Sequence, residues 1–492
     1  MSELKFIFEY DEENEDYFNF SDEIDLSEYG IKEILTKDIG LPKISEVSLV
    51  RHFTNLSRKN FGVDNGFYPL GSCTMKYNPK INEKISKLEE FIMSHPLSDE
   101  EYIQGNLEIL YEMGEFLKDI TGLEGVTFQP SAGAHGEITG ILIVRAYHNY
   151  NKEFNRKKII VPDSSHGTNP ATAAIAGFEV VQIKSNKEGL IDIEELKKNL
   201  DNQTAAIMLT NPNTLGLFEE EIIKVAELVH NAGALLYYDG ANLNPLLCRV
   251  KIKDMGFDIV HFNLHKSFST PHGGGGPGAG PVAVAKNLKN FLPVPIIEKN
   301  NNKFYFNYNL KNSIGKVKSF YGNFSVILKA YFYILSLGIE GLRKVSEISI
   351  LNANYLKKKL EKLLELPYKK NCLHEFVLSG KKLKNYGFHT IDLAKRLIDF
   401  GYHPPTIYFP LIVEEAIMIE PTETEPKWLL DKFVKDFETI INEAINKSEN
   451  LNNAPLTTPV GRLDEVKAAR EPITTYQEYK KIKIPIILVF KL

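Results

Sequence analysis

Between residues 100 and 285 the chain alternates short apolar runs with longer stretches in which apolar residues recur every three or four positions. The runs at 125–128, 158–161, 178–183, 205–210, 235–239 and 259–262 predict strands. The periodic stretches at 106–120, 137–147, 192–200 and 219–230 predict helices, and a further helix, with Pro170 at its first position, runs through Ala176. Gly-, Pro- and Asn-rich connections separate them. Repeated β-α alternation of this kind predicts a mainly parallel sheet covered by helices on both faces. After Lys286 the texture changes: a polar, aromatic stretch at 300–309, helical patterns at 324–337 and 342–364, a strand at 372–378, a helix at 391–400 ended by Gly401, a loop at 420–424 and a helix at 426–450. The fold class expected is therefore α/β, a large domain built on a mainly parallel sheet followed by a smaller C-terminal α+β domain. The division expected is an N-terminal arm and loop segment over 1–90, a large domain over 91–330 and a small domain with tail over 331–492.

The flanks are less regular. Residues 1–45 are polar with an acid cluster at 11–16, 45–62 reads as a helix ending at a glycine, and 484–490 reads as a closing strand. The stretch 68–79 (YPLGSCTMKYNP) is a loop that crowds a thiol, two hydroxyls and a lysine into 72–76. That is a composition for a loop that reaches a site, although a purely structural loop under a core has equal claim.

Composition then narrows the class. With 492 residues, 43% hydrophobic and 25% charged, the chain has the make-up of a soluble globular protein able to bury a large core. Its net charge of −6 argues against nucleic-acid binding, since no strongly basic region offers itself to phosphates. Cys73, Cys248 and Cys372 match no metal or redox spacing, which points to reduced thiols and a cytoplasmic protein. The acidic N-terminus does not resemble a targeting signal, and no apolar stretch is expected to span a membrane.

The chemistry collects at the strand ends. His135, His166, Asn211, Asp239, His265 and Lys266 all fall at or just past one, and in such sheets ligands sit outside the carboxyl ends of the strands. Burial and nearby cations favour a free amine on Lys266, able to form a Schiff base. Asp239 closes the preceding strand. A lysine for the aldehyde and an aspartate for the pyridinium nitrogen are what pyridoxal 5'-phosphate requires. The strand–turn–helix segment 125–147 offers a phosphate cradle in Ser131, Gly133, Ala134 and His135. His166 is placed to stack on one ring face and Ala241 to lie under the other, while glycine-rich 273–280 allows close approach of the backbone.

The same residues bear on three rival readings. A dinucleotide binder lacks its glycine fingerprint and following acid. The His261–His265 pair has helical chelate spacing, but on a strand the two would lie roughly 13 Å apart, so no metal is expected. Cys73 as a nucleophile with a distant histidine is the third.

The strings QPSAGAHGE (129–137), VPDSSHGTNPA (161–171), NPNTLGLFE (211–219), YYDGANLN (237–244) and NLHKSFSTPHGGGGPGAGPV (263–282) resemble the P-protein family of the glycine cleavage system, the pyridoxal-phosphate-dependent decarboxylating glycine dehydrogenases. The loop at 60–82 and the tail TTPVGRLDEVKAAREP are similar to it too, so the likeness runs from about 45 to 472. It implies a type I fold among pyridoxal-phosphate enzymes and the separately encoded second subunit of a two-plus-two heterotetramer, with subunit 1 as partner. It implies Lys266 as the Schiff-base lysine, with Asp239, His166 and the 131–135 turn as cofactor contacts. The reaction implied is decarboxylation of glycine and transfer of the aminomethyl group to the lipoyl disulfide of the small H-protein, with His265 or His135 as proton donor. Tyr321-Gly322-Asn323 would reach a neighbouring subunit's site. Gly461-Arg462 departs from the two arginines expected before Leu463. Another type I amino-acid decarboxylase and a non-catalytic scaffold subunit are the alternatives.

Overall fold

The computed structural model describes residues 6–10, 44–96, 98–273 and 278–482. The acid cluster at 11–16, the strand expected at 484–490 and most of the four-glycine run lie outside them. By packing, the chain forms two units, Gly66–Asn452 and a second that joins Met1–Asn65 to Asn453–Leu492. The second contains the helix Glu46–Ser57, whose N-cap Ser45 accepts from the Ser48 amide, and the helix Glu465–Arg470, capped by Asp464. The first of these ends at Ser57, five residues before the glycine expected to stop it.

The larger unit is built on a seven-stranded sheet. Its strands are β1 (Gly125–Thr127), β2 (Lys158–Pro162), β3 (Glu179–Ile183), β4 (Thr204–Leu209), β5 (Leu235–Gly240), β6 (Ile259–Phe262) and β7 (Val282–Val284), in the order β1-β7-β6-β5-β4-β2-β3. Only β7 pairs antiparallel with its neighbours; β6-β5-β4-β2-β3 is parallel throughout. Alternate residues feed two cores. Ile160, Ile207, Leu236 and Val260 belong to one face, and Ile159, Ala206, Tyr237 and Ile259 to the other. Because helices cover both faces, these strands read as unbroken apolar runs. The fold is α/β, as expected.

Beyond the sheet, the hairpin β8 (Ile296–Asn300) and β9 (Lys303–Asn307) occupies part of the stretch read only as polar and aromatic. A third core gathers Leu356, Phe376, Leu378, Ile417, Ile419, Phe433 and Phe437 around the antiparallel sheet of β10 (Phe376–Ser379), β11 (Thr406–Ile407) and β12 (Ala416–Ile419). The run Phe324–Leu360 is two helices, as expected, meeting at a kink where Gly338 leaves helical dihedrals (φ 59°, ψ −176°).

That run corrects one expectation. An 18-residue window within it reaches a mean hydropathy of 1.4, so a stretch long and apolar enough to cross a membrane does exist. Its apolar residues Val326, Ile327, Leu328, Ala330 and Ile334 are buried within the larger unit, and a buried core helix satisfies the same length and composition test.

Candidate active site

β5 and β6 lie side by side in parallel, with Asp239 opposite His261. The chain leaves β6 directly into a helical turn, Leu264–Ser267, which carries Lys266. Both strands therefore deliver a functional group to the same edge. A cleft of about 130 Å³ opens there. Lys266, Asp239, Ala241, His166, Gly133 and Ala134 all line it. Six of the residues singled out from sequence thus meet in one place.

Asp239 is buried but well supplied with donors. Its Oδ1 lies 3.3 Å from His261 Nε2 and accepts the Ala241 amide at 3.1 Å, and Oδ2 accepts Asn169 Nδ2 at 3.0 Å. Burial works against the charged form, but His261, Asn169, the Ala241 amide and Lys266 together hold its pKa below the ordinary carboxylate value. Tyr237 Oη lies 2.8 Å from His261 Nδ1. Burial lowers the His261 pKa, so the ring is neutral. With the tyrosine donating to Nδ1, the proton sits on Nε2 and points at Asp239. Beside them Glu137, raised to about 8 by burial and by Asp239, shares Asn169 as its hydrogen-bond partner at 2.6 Å.

The phosphate end is built differently. The helix Gly133–Tyr150 starts four residues earlier than its periodicity suggested, and its N-cap Ala132 offers no side-chain cap. First-turn amides are left without partners, which suits an anion. Close packing favours glycine at 133, since a Cβ would lie 2.1 Å from Asn263 Oδ1. Gly280 crosses the same turn, and a Cβ there would lie 2.0 Å from the Ala132 carbonyl oxygen. Asn263 Oδ1 and Thr210 Oγ1, both on residues lining the cleft, are buried without a partner. Unpaired polar atoms, a bare helix N-terminus, an amine and an ionised carboxylate fit pyridoxal phosphate.

Four expected residues stand outside the lining. Asn211 turns its side chain to the Glu219 amide and Met255. Ser131 and His135 contact each other, Ser131 Oγ lying 3.3 Å from His135 Nδ1. His265 turns its ring toward Gly278 and His272, and burial with neighbouring His272 and Lys266 lowers its pKa to about 3. The helix Thr168–Ile175 places Pro170 third rather than first.

Residues 345–458 match the family model for the glycine dehydrogenase C-terminal domain, and 139–293 match that for aminotransferase class V. A Staphylococcus aureus (strain USA300 / TCH1516) protein named "Probable glycine dehydrogenase (decarboxylating) subunit 2" is 58% identical over 442 residues, 90% of each chain. The chain belongs to the glycine dehydrogenase (decarboxylating) subunit 2 family. Among solved structures, a glycine decarboxylase (P-protein) of the glycine cleavage system, in inhibitor-bound form, aligns with a TM-score of 0.69 at 20% identity, over 85% of this chain and 95% of that one. A glutamate decarboxylase from Lactobacillus brevis aligns at 0.66 and 14% identity, over 83% and 95%. At those identities the likeness is one of fold.

For this member of the glycine dehydrogenase family, the loop at 68–79 proves to be part of the site. Ser72, held at φ 64°, accepts the Lys266 ammonium on its carbonyl at 2.7 Å and donates its amide to Glu375 Oε2 at 2.7 Å. Thr74 gives its amide and hydroxyl to Glu420. Lys76 is fully buried, with its ammonium on Asn244 Oδ1, Ser267 O, Tyr333 Oη and Glu423 Oε1. Sequence reading marked the loop for its chemistry but not its partners. Glu375, Glu420, Glu423 and His374 lie some 300 residues further along, and no local pattern announces them. Glu137 opens a helix that periodicity alone explains, and Asn169 only precedes the proline expected to start the next.

Proposed function

We propose that this chain is the catalytic subunit that decarboxylates glycine using pyridoxal phosphate. On this reading it passes the aminomethyl group to the disulfide of a lipoyl arm on a small carrier protein. It works with a separately encoded subunit 1, two copies of each, in the cytoplasm. The observation that carries the reading is the meeting of Lys266, Asp239 and the uncapped start of helix Gly133–Tyr150 in one cleft. Three cysteines with no disulfide between them agree with a reducing compartment.

Bound there, pyridoxal phosphate supplies an electron sink for the pair released when a bond to the substrate's α-carbon breaks. The remaining work belongs to the chain. Lys266 would hold the cofactor through its aldehyde. Asp239, kept ionised by its donors, would retain a proton on the ring nitrogen. The amides of Gly133 and Ala134 would hold the phosphate, with His166 and Ala241 on the cleft wall beside the ring.

The test is release of labelled carbon dioxide from carboxyl-labelled glycine by the chain assembled with subunit 1, with and without lipoylated carrier. Release that needs the carrier and disappears in Lys266→Ala is expected. Equal release from the variant would remove the reading.

A further inference from the structure

The cleft holds a second pair of carboxyls that the reading above leaves idle. Glu375 lines the cleft, and Glu420 lies behind it at the end of β12. Ligand atoms of His374, Glu375 and Glu420 fall within 4.8 Å of one another, and all three residues are buried. Two buried carboxylates this close do not both ionise without a cation between them.

Their donors divide unequally. Glu420 receives three: the Thr74 amide at 2.9 Å, the Thr74 hydroxyl at 2.7 Å and Asn242 Nδ2 at 2.8 Å. Glu375 receives only the Ser72 amide on Oε2, and its Oε1 has His374 Nε2 at 3.5 Å. The well-solvated partner is the anion, and the proton belongs on Glu375. Burial first, then the Glu420 charge, push the Glu375 carboxyl well above its ordinary range. The other titratable groups facing it are Lys266, Cys73, Cys372 and His374, the last kept neutral by burial.

The geometry points to Glu375 as a further catalytic acid of this cleft, holding one proton that Glu420 obliges it to keep. Resting on the function proposed above, the step is this. As the carbon–carboxylate bond breaks and carbon dioxide leaves, the released electron pair forms a carbon–sulfur bond to one sulfur of the lipoyl disulfide. The sulfur–sulfur bond breaks and its pair goes to the other sulfur. That thiolate takes the proton from Glu375, which is left as a carboxylate and recovers a proton from water. The disulfide is the oxidant and one proton is consumed per turnover. Glu420 acts through Glu375 and is a positioning residue.

Two readouts test this on the full chain assembled with subunit 1. The first needs no substrate: infrared difference spectra of wild type against Glu375→Gln should show loss of one protonated-carboxyl band at neutral pH. The second is carbon dioxide release from glycine with lipoylated carrier. It should fall on the order of 10²–10⁴-fold in Glu375→Gln and recover in part in Glu375→Asp, with retained cofactor absorbance. In Glu420→Gln the alkaline limb of the pH profile should move to lower pH, because the charge that holds the proton on is gone. Unchanged infrared bands, or release within threefold of wild type in Glu375→Gln, would overturn the proposal. So would a metal ion bound by the three side chains in the purified protein, since it would ionise both carboxyls. A wild-type protein that shows the band yet releases no carbon dioxide would sink the function proposed above while leaving the shared proton standing.

Discussion

Replacing Lys76 by methionine isolates what holds the 68–79 loop against Lys266. The Lys76 side chain is 0% exposed and Glu423 8%, with 2.8 Å between ammonium and carboxylate. Burial disfavours the ammonium, but Glu423 and Tyr333 outweigh it and raise its pKa. Methionine fills nearly the same volume and removes the charge. Glu423 would then keep only the Tyr333 hydroxyl at 3.4 Å, since its Oε2 already lacks a partner. Breaking one side of a buried pair typically costs about 3–5 kcal/mol, most of it the stranded charge. The Ser267 carbonyl, next to Lys266, also loses its donor at 3.1 Å. Urea unfolding followed by circular dichroism should show a loss in that range for Lys76→Met. Lys76→Met/Glu423→Leu should recover most of it, because no uncompensated charge remains. A loss under about 1 kcal/mol, the size of an exposed pair, would refute the argument. A double variant as unstable as the single one would assign the effect to packing instead of charge.

The remaining predictions concern the two ends of the cleft. Gly133→Ala sets a Cβ 2.1 Å from Asn263 Oδ1, so equilibrium dialysis should show weaker pyridoxal phosphate binding, with a packing penalty of about 1–3 kcal/mol in unfolding. Asn169→Ala strips the shared donor from Glu137 and Asp239; a loss of about 1–3 kcal/mol is expected, and an unchanged urea midpoint would argue that the two carboxyls need no bridge. Glu137 has a folded-state pKa near 8, raised from 4.5, so the folded chain binds more protons than the unfolded one between those values. Its contribution to stability is therefore greatest below about 4.5 and is lost as pH rises toward 8. Glu137→Gln should flatten the decline in melting temperature across that interval, and an identical slope in both proteins would contradict the assignment.

The sheet was legible because its strands are buried on both faces and therefore apolar without interruption, as in Thr204–Leu209. Lys266 and Asp239 were legible for the same reason: each directly follows or ends such a run. The start of helix Gly133–Tyr150 was misjudged because first-turn amides need no intrahelical partner, so a glycine at that position loses little and close approach to Asn263 decides its identity. The helices either side of Gly338 were legible as two because that glycine breaks the backbone as well as the pattern. What stayed hidden was held together by distance along the chain. Ser72 meets Glu375 across 303 residues and Thr74 meets Glu420 across 346, and periodicity cannot join them.

The account rests on one amine and one carboxylate gripping opposite ends of the same ring. Borohydride reduction of the pyridoxal-phosphate-loaded protein, followed by peptide mapping, tests the amine directly. The pyridoxyl group should be found on Lys266 and be absent from the Lys266→Ala protein. Label on another lysine, or undiminished label in that variant, would contradict the account.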